Sequence, residues 1–465
     1  MIRTRHLQPS LWNGILAEEV DDLWEPWMRS ADHLLNDEKL IERIFEAQAR
    51  RCLKSRTRGR KQTPAEVVLR LLILKHVRDW SYEVLEREVR ANLVYRSFAR
   101  IGTEKVPDAK TLGRLGQVVG PEVVADLHQR LVELAVEKKV VVGRRMRVDT
   151  TVVETNIHFP TDSSLLGDGA RVLTRVMKKV EQQVRGLARR IRDRMRTVRR
   201  KVVAIALAAR QKGAAGEEKR RRIYKGLLRV TRQIINQAKG VMGEVEQFGR
   251  RRKKRLAGLR HQLATMVGRV EQVMKQTRAR VFGGNTKFED KLVSVFEPQT
   301  EIIRKGKASK PTEFGKLVKI QEAENQIVTH YEVYDQRPTD SALLVKAVEI
   351  HQQQMGTPPK MVAADAGFYS QANENRLTEI GVKNVSVPNR NTRSEQRRQF
   401  QKKRSFKQGQ RWRTGCEGRI SVLKRRHGLR RCLYRGQDGM KRWVGLGVIA
   451  DNVINLGLRL AMQAR

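Results

Sequence analysis

The chain has 465 residues, with 96 Lys or Arg against 50 Asp or Glu, a formal net charge of +46 and a hydrophobic fraction of 39%. That apolar content supplies buried cores and excludes wholesale disorder; at ~100–200 residues per domain, the length predicts two to four domains. So basic a chain repels itself when compact and calls for a polyanion, nucleic acid ahead of an anionic membrane surface.

The apolar stretches argue against the membrane. Residues 67–77 carry Arg70 and Lys75, and residues 443–462 carry Asp451, Asn452 and Asn455. Neither offers the ~20 uninterrupted apolar residues of a spanning helix. The first twenty residues hold no apolar run ahead of a small-residue cleavage site. Cys52, Cys416 and Cys432 lie far apart and form no CxxC pair, so they read as thiols in a reducing compartment rather than a zinc site or disulfide frame. The expectation is a soluble, cytoplasmic chain.

In chain order, Thr63-Pro64-Ala65-Glu66 is a helix start, and Val67, Leu69, Leu71, Leu72 and Leu74 give it a broad apolar face. Helices are predicted over residues 83–89, 94–99 and 110–138. This pattern fits a helix-turn-helix and equally any small helical bundle. At Val140 the texture changes. Residues 140–142 and 145–148 have strand character, the second ending in Asp149. Beyond residue 285, a hairpin over residues 314–320 and 327–334 turns at Glu324-Asn325. A helix over 341–354 follows, with Asp340 as its N-cap. A strand over 361–364 ends in Asp365, and helix 371–380 and strand 382–387 come next. A helix carrying Glu417 and a closing helix over 440–461 complete the chain. Strands first, then strand alternating with helix, indicate an α/β domain with a mixed sheet.

The charge is local. Residues 171–280 hold 34 Lys or Arg against seven Asp or Glu, and residues 390–435 hold 17 against two, so the two blocks carry +42 of the +46. In the first block Val172, Val176, Val180, Val184, Leu187, Ile191 and Met195 recur at helical spacing. The pattern resumes after Gly213 and again after Arg255, predicting two or three long amphipathic helices folded back on each other. A solvated basic face accounts for such helices; contact with DNA or RNA accounts for the density of charge as well, since phosphates would neutralise it.

Asp149 and Asp365 stand at the ends of predicted central strands, where ligands converge in α/β sheets. Glu417 stands on a helix with Arg413 four residues before and Lys424 seven after, so all three share one face. Each acid alone has a plain reading: a turn or cap for the aspartates, an ion pair with Arg413 for Glu417. Together, carboxylates amid surplus cations suit Mg²⁺ and phosphate chemistry. Asp162, Asp168 and His158 lie in turn-like sequence and read as caps or loop residues.

Three stretches resemble a bacterial insertion-sequence transposase of the DDE class, in the broad IS-four/IS-five-like superfamily. Val148-Asp149-Thr150-Thr151-Val152-Val153-Glu154 looks like its first-Asp strand, and Ala363-Ala364-Asp365-Ala366-Gly367-Phe368-Tyr369 like its second-Asp motif. Arg413, Glu417 and Lys424 match R-x3-E-x6-K of the third-acid motif. Residues 65–102 resemble the helical domain ahead of the core. The likeness runs from about residue 60 to 460, interrupted by the basic block. Two features depart from it: Gln410 stands where the family often has Tyr, with Trp412 nearby, and no insertion separates Asp365 from Glu417.

The resemblance implies a ribonuclease-H-like mixed sheet flanked by helices, with an N-terminal helical domain and a basic helical insertion after the first core strand. The boundaries expected are 1–138 for the DNA-end-binding helical region, 139–170 with 286–465 for the catalytic core, and 171–285 for the insertion. It implies 3′-end cleavage and strand transfer. Asp149, Asp365 and Glu417 would hold two Mg²⁺ ions, with Mn²⁺ able to substitute. Arg413, Lys424, Arg419, Arg425 and Arg426 would hold double-stranded DNA, both element ends and target, and a homodimer or higher assembly would join two ends. The alternatives are a non-catalytic DNA-binding or architectural protein and a stand-alone ribonuclease-H-like nuclease.

Overall fold

The computed structural model describes residues 1–6, 14–15, 18–50, 53–59, 61–184, 191–304 and 311–463; Cys52 and Leu187 lie outside the described residues. The chain forms two compact units, residues 1–156 with 303–465, and residues 157–302.

The first unit opens with helices α1 (Pro26–Leu35), α2 (Glu38–Arg50), α3 (Ala65–Val77), α4 (Tyr82–Ala91), α5 (Leu93–Phe98), α6 (Ala109–Val118) and α7 (Pro121–Glu137). Every residue of α3 is buried, so it is the central helix rather than one with a single apolar face. Arg70 tolerates this because it donates to Asp32 (2.7 Å), Asn36 (2.8 Å) and the Phe98 carbonyl (3.1 Å). Ser81, Asn92 and Asp108 cap α4, α5 and α6 through their side chains. The helix predicted over residues 110–138 is two, broken at Gly120, because Pro121 begins α7 and cannot continue α6. Residues 140–142 are not a strand: the Val140 and Val141 amides close α7 on the Ala135 carbonyl, and both side chains are buried among the helices.

The sheet is built on β1 (Arg145–Thr155), which runs seven residues past the predicted end. With it are β2 (Glu301–Ile303), β3 (Glu313–Glu322), β4 (Val328–Val333), β5 (Met361–Ala363), β6 (Asn384–Ser386) and β7 (Arg431–Cys432). β1 pairs antiparallel with β3 along its length, from Arg147↔Glu322 to Glu154↔Gly315. On its other side β5 runs parallel only from Arg145↔Met361 to Arg147↔Ala363, and β6 follows β5 in parallel. β4 pairs with β3 through the predicted hairpin, where Asn325 takes φ 56°.

Helices cover both faces of this mixed sheet. On one, α12 (Leu344–Met355) and α13 (Gln371–Ile380) pack on Met146, Val148 and Val362. On the other, α15 (Arg404–Arg426) and α16 (Gly436–Gln463) bring Leu423, Trp443 and Val448 against Val153, Val318 and Ile320. The short α14 (Glu395–Lys402) leads into α15. By length and composition α16 could cross a membrane, but 67% of its apolar window is buried inside the protein. Asp451 and Asn452 belong to that interior: Asn452 accepts from the Val328 amide (2.9 Å) and donates to the Val328 carbonyl (2.8 Å).

The second unit holds α8 (Asp162–Gln183), α9 (Met195–Ala208), α10 (Ala214–Gln247) and α11 (Arg250–Val281). Among the described residues the expected two or three helices are four, sharing a core of residues such as Leu173, Val180, Ile205, Leu227, Ile234, Leu263 and Val270. Asp162 and Asp168 are helical, not in turns. Thr161 caps α8 in a capping box with Ser164, leaving Asp162 to pair with Arg280. Asp168 pairs with Arg171 (2.7 Å) and faces His158 (3.5 Å).

Candidate active site

The unequal length of two neighbouring strands opens the site. Asp365 follows Ala363, the last residue of β5, by two positions, and Asp149 follows Arg147, the partner of Ala363, by two. The parallel register therefore brings Asp149 and Asp365 side by side at the point where β5 has ended and β1 runs on. Asp149 is thus mid-strand, and the crevice opens on its β5 side. The Asp149 carboxylate accepts its neighbour's amide, Thr150 N–H (2.7 Å), and Asp365 accepts Gly367 N–H (2.9 Å) at the head of a 3₁₀ turn.

Glu417 comes to this crevice on α15. Two glycines let that helix approach: a Cβ at Gly409 would meet the Ser386 side chain, and one at Gly415 would meet the Arg147 guanidinium. Gln410 donates to the Ala364 carbonyl (3.2 Å), the residue before Asp365, and to Ser386, so the position where the family often has Tyr is a structural tie here. Trp412 lies beneath the guanidinium groups of Arg147 (4.7 Å) and Arg145 (5.4 Å). Arg147 in turn pairs with the buried Glu322, whose carboxyl is pushed up by burial. Cys416, buried beside them, has its thiol pushed far up by burial and by the Glu322 and Asp149 carboxylates. It is no nucleophile.

Asp149, Asp365 and Glu417 line one cleft of about 840 Å³ together with Glu154, Glu313 and Asp340. Its cations are Arg337, Lys424, Arg425 and Arg430. Carboxylates thus outnumber cations here, in a chain whose net charge is +46. All-oxygen donors of this kind suit a hard divalent cation, Mg²⁺ or Mn²⁺. Among the described residues no three His, Cys, Asp or Glu side chains stand close enough to hold an ion by themselves. Mg²⁺ in general takes one or two carboxylates and completes its shell with water and substrate phosphates.

The expected DNA-binding residues divide. Lys424 and Arg425 line the cleft, and Arg426 is exposed beyond them. Arg413 is 16% exposed and donates to Glu417 (3.0 Å). Arg419 turns the other way: it is 7% exposed and pairs with Asp451 on α16 (2.6 Å) and with Gln326. Two residues of helix rotate it ~200° from Glu417, so it faces the core and is not available to DNA. The cleft also contains an acid that the motifs do not mark. Asp340 is expected to cap α12, but Thr339 holds the cap position of the 3₁₀ turn there, and Asp340 accepts from the Thr150 hydroxyl (3.1 Å).

Two stretches of the chain match known protein families. Residues 25–117, from α1 into α6, match Transposase domain (DUF772). Residues 376–457, from α13 into α16, match Transposase DDE domain and take in Arg413, Glu417 and Lys424.

Both matched stretches are transposase domains, the second of the DDE class.

Transposases of this class bind DNA, transfer phosphoryl groups on it and use divalent metal. Asp149 and Asp365 lie outside both matched stretches. No curated protein and no solved structure matches the chain.

Proposed function

We propose that this chain is a transposase that cleaves the 3′ ends of an insertion sequence and joins them to target DNA, using Asp149, Asp365 and Glu417 in a ribonuclease-H-like core. The observation that carries the reading is the opening of these three acids, from β1, the β5 loop and α15, into one cleft rimmed by cations. In the first step water attacks a phosphorus at the element end and the element's 3′-oxygen leaves. In the second, that 3′-hydroxyl attacks a target phosphodiester and the target's own 3′-oxygen leaves, so one phosphodiester bond replaces another. Neither step needs a covalent protein intermediate, in keeping with the inert Cys416.

Asp149, Asp365 and Glu417 would hold two divalent ions, Mg²⁺ or Mn²⁺. When bound, they supply activation of the attacking oxygen and stabilisation of the leaving one. The chain's own residues orient the DNA. Lys424, Arg425, Arg430 and Arg337 hold phosphates on either side of the scissile bond, and Arg413 holds Glu417 in place. Residues 1–138 read the element ends, and two protomers synapse two ends.

The second unit adds its own DNA surface. A groove of about 690 Å³ is lined by Arg171, Arg175, Lys178 and Lys179 of α8 and by Arg196 and Arg199, with Asp193 its one acid. Asp193 is already paired with Lys178 (2.6 Å). Cations repeating along a helix track a phosphate backbone without reading its sequence.

The test is a joining assay in Mg²⁺ with a labelled duplex ending in the element's terminal repeat and a plasmid target. Joined product from the wild type and none from Asp365→Asn supports the proposal. Cutting without joining would favour a nuclease, and DNA binding with neither reaction an architectural protein; either overturns it.

A further inference from the structure

Asp340 touches both segments that carry the catalytic aspartates. Successive residues of a strand face opposite sides. Thr150 thus follows Met146 and Val148 onto the face covered by α12, while Asp149 follows Arg147 onto the face covered by α15. The Thr150 hydroxyl donates to Asp340 Oδ1 (3.1 Å), directly behind Asp149. The other oxygen, Oδ2, lies beside the Asp365 loop: a Cβ at Gly367 would stand 3.3 Å from it and 3.1 Å from Asp365 Oδ1. The turn bearing Asp340 is bolted to that loop by Asn373, which donates to the Ser341 carbonyl (2.7 Å) and the Phe368 carbonyl (3.1 Å). Asp340 therefore occupies the gap that the early end of β5 leaves between the two segments. The β1–β5 pairing itself stops at Arg147↔Ala363.

We infer that Asp340 is a positioning residue of the active site, whose hydrogen bond to Thr150 fixes the spacing between Asp149 and Asp365. The inference rests on the reading of the cleft as catalytic. It makes the acceptor oxygen, not the negative charge, the working feature. Asn at this position keeps an oxygen for Thr150; Ala does not. Ser at position 150 keeps the hydroxyl; Val does not.

Mn²⁺ binding to the free protein, followed by electron paramagnetic resonance, reads the effect without DNA or turnover. Asp340→Ala and Thr150→Val are each expected to weaken it ~10–100-fold, as loss of a group that orients metal ligands does. Asp340→Asn and Thr150→Ser are expected to stay near wild type, and the Ala/Val double variant to be no worse than either single. In the joining assay Asp340→Ala is expected to lower kcat and raise the Mg²⁺ requirement while DNA affinity holds. Unchanged Mn²⁺ binding in Asp340→Ala overturns the inference. So does an Asp340→Asn variant as impaired as Asp340→Ala, or additive losses in the double variant. A wild type that binds Mn²⁺ yet joins nothing sinks the transposition reading separately, and the Mn²⁺ series still decides the role of Asp340.

Discussion

The carboxylate cleft and the basic helical unit handle charge in opposite ways. Around the cleft, key charges are individually placed by a named neighbour: Arg147 by Glu322 and Trp412, Arg419 by Asp451, Arg413 by Glu417. In residues 157–302 they are many and repeated, exposed on helices whose apolar faces form a core of their own. A placed charge answers to geometry, whereas a repeated charge answers to the sum. Single substitutions should therefore be severe in the first region and mild in the second.

The largest effect is expected at the acids. Asp149→Asn or Asp365→Asn should lower joining by more than the ~100-fold typical of losing an outer partner of a metal ligand. DNA affinity should hold or rise, because a negative charge facing phosphates is removed. A Mg²⁺-dependent joining assay beside a binding titration checks both. Joining that survives either change would remove that acid from the site and break the contrast at its strongest point.

Next come buried ion pairs. Arg419→Ala leaves Asp451 buried with its principal partner gone and should cost ~3–5 kcal/mol of stability, read by urea unfolding. Arg425→Ala, six residues along the same helix and exposed on another face, should stay within ~0.5 kcal/mol. Equal effects would mean that α15 does not divide into an inner and an outer face.

This division is partly legible in the sequence. The 3.6-residue period puts Arg413, Glu417 and Lys424 on one face and, applied to Arg419, puts it on the other; charge alone groups it with its neighbours. The strands and helices around Asp365 are readable because Gly, Ser and Asn punctuate them, and α13 falls on the residues predicted. The length of β1 is not, since Thr150 to Thr155 are held by β3 and β7, partners distant in sequence. Asp340 escapes notice for a related reason. An acid before a helix looks like a cap, and only the fold brings Thr150, 190 residues earlier, within reach of it.

Lys75 sharpens the comparison from another side, as a placed charge among rings. Tyr82, Tyr434 and Trp443 surround its ammonium at 5.1, 5.4 and 4.8 Å, and burial lowers its pKa to about 8 despite Asp79 and Glu83. Because the folded value lies below the unfolded one, the unfolded chain binds more protons between about pH 8 and 10.5, and stability rises with pH across that window. Below pH 8 the full penalty applies, on the order of 3 kcal/mol. Lys75→Met should raise stability at neutral pH and flatten that rise. A variant that is less stable at pH 7 would show that the rings repay the burial of the charge.

The smallest effect is expected in the α8–α9 groove. Arg175→Ala removes one cation of six, and neighbouring Lys179 and Arg199 continue to neutralise the phosphates. Affinity for duplex DNA should fall only a few-fold, independently of sequence, and the slope of log affinity against log salt should shrink by ~0.9 for each phosphate no longer neutralised. Arg175→Glu with Lys179→Glu replaces two attractions by two repulsions in one groove, so its loss should exceed the sum of the two alanine changes. The same reversal at Arg221 and Arg222 on α10, which are engaged with Glu217 and Glu218, is the control and should cost less. A single alanine that abolished binding would make this unit a site of placed charges after all. A salt slope unchanged by the double reversal would mean that DNA does not run through the groove.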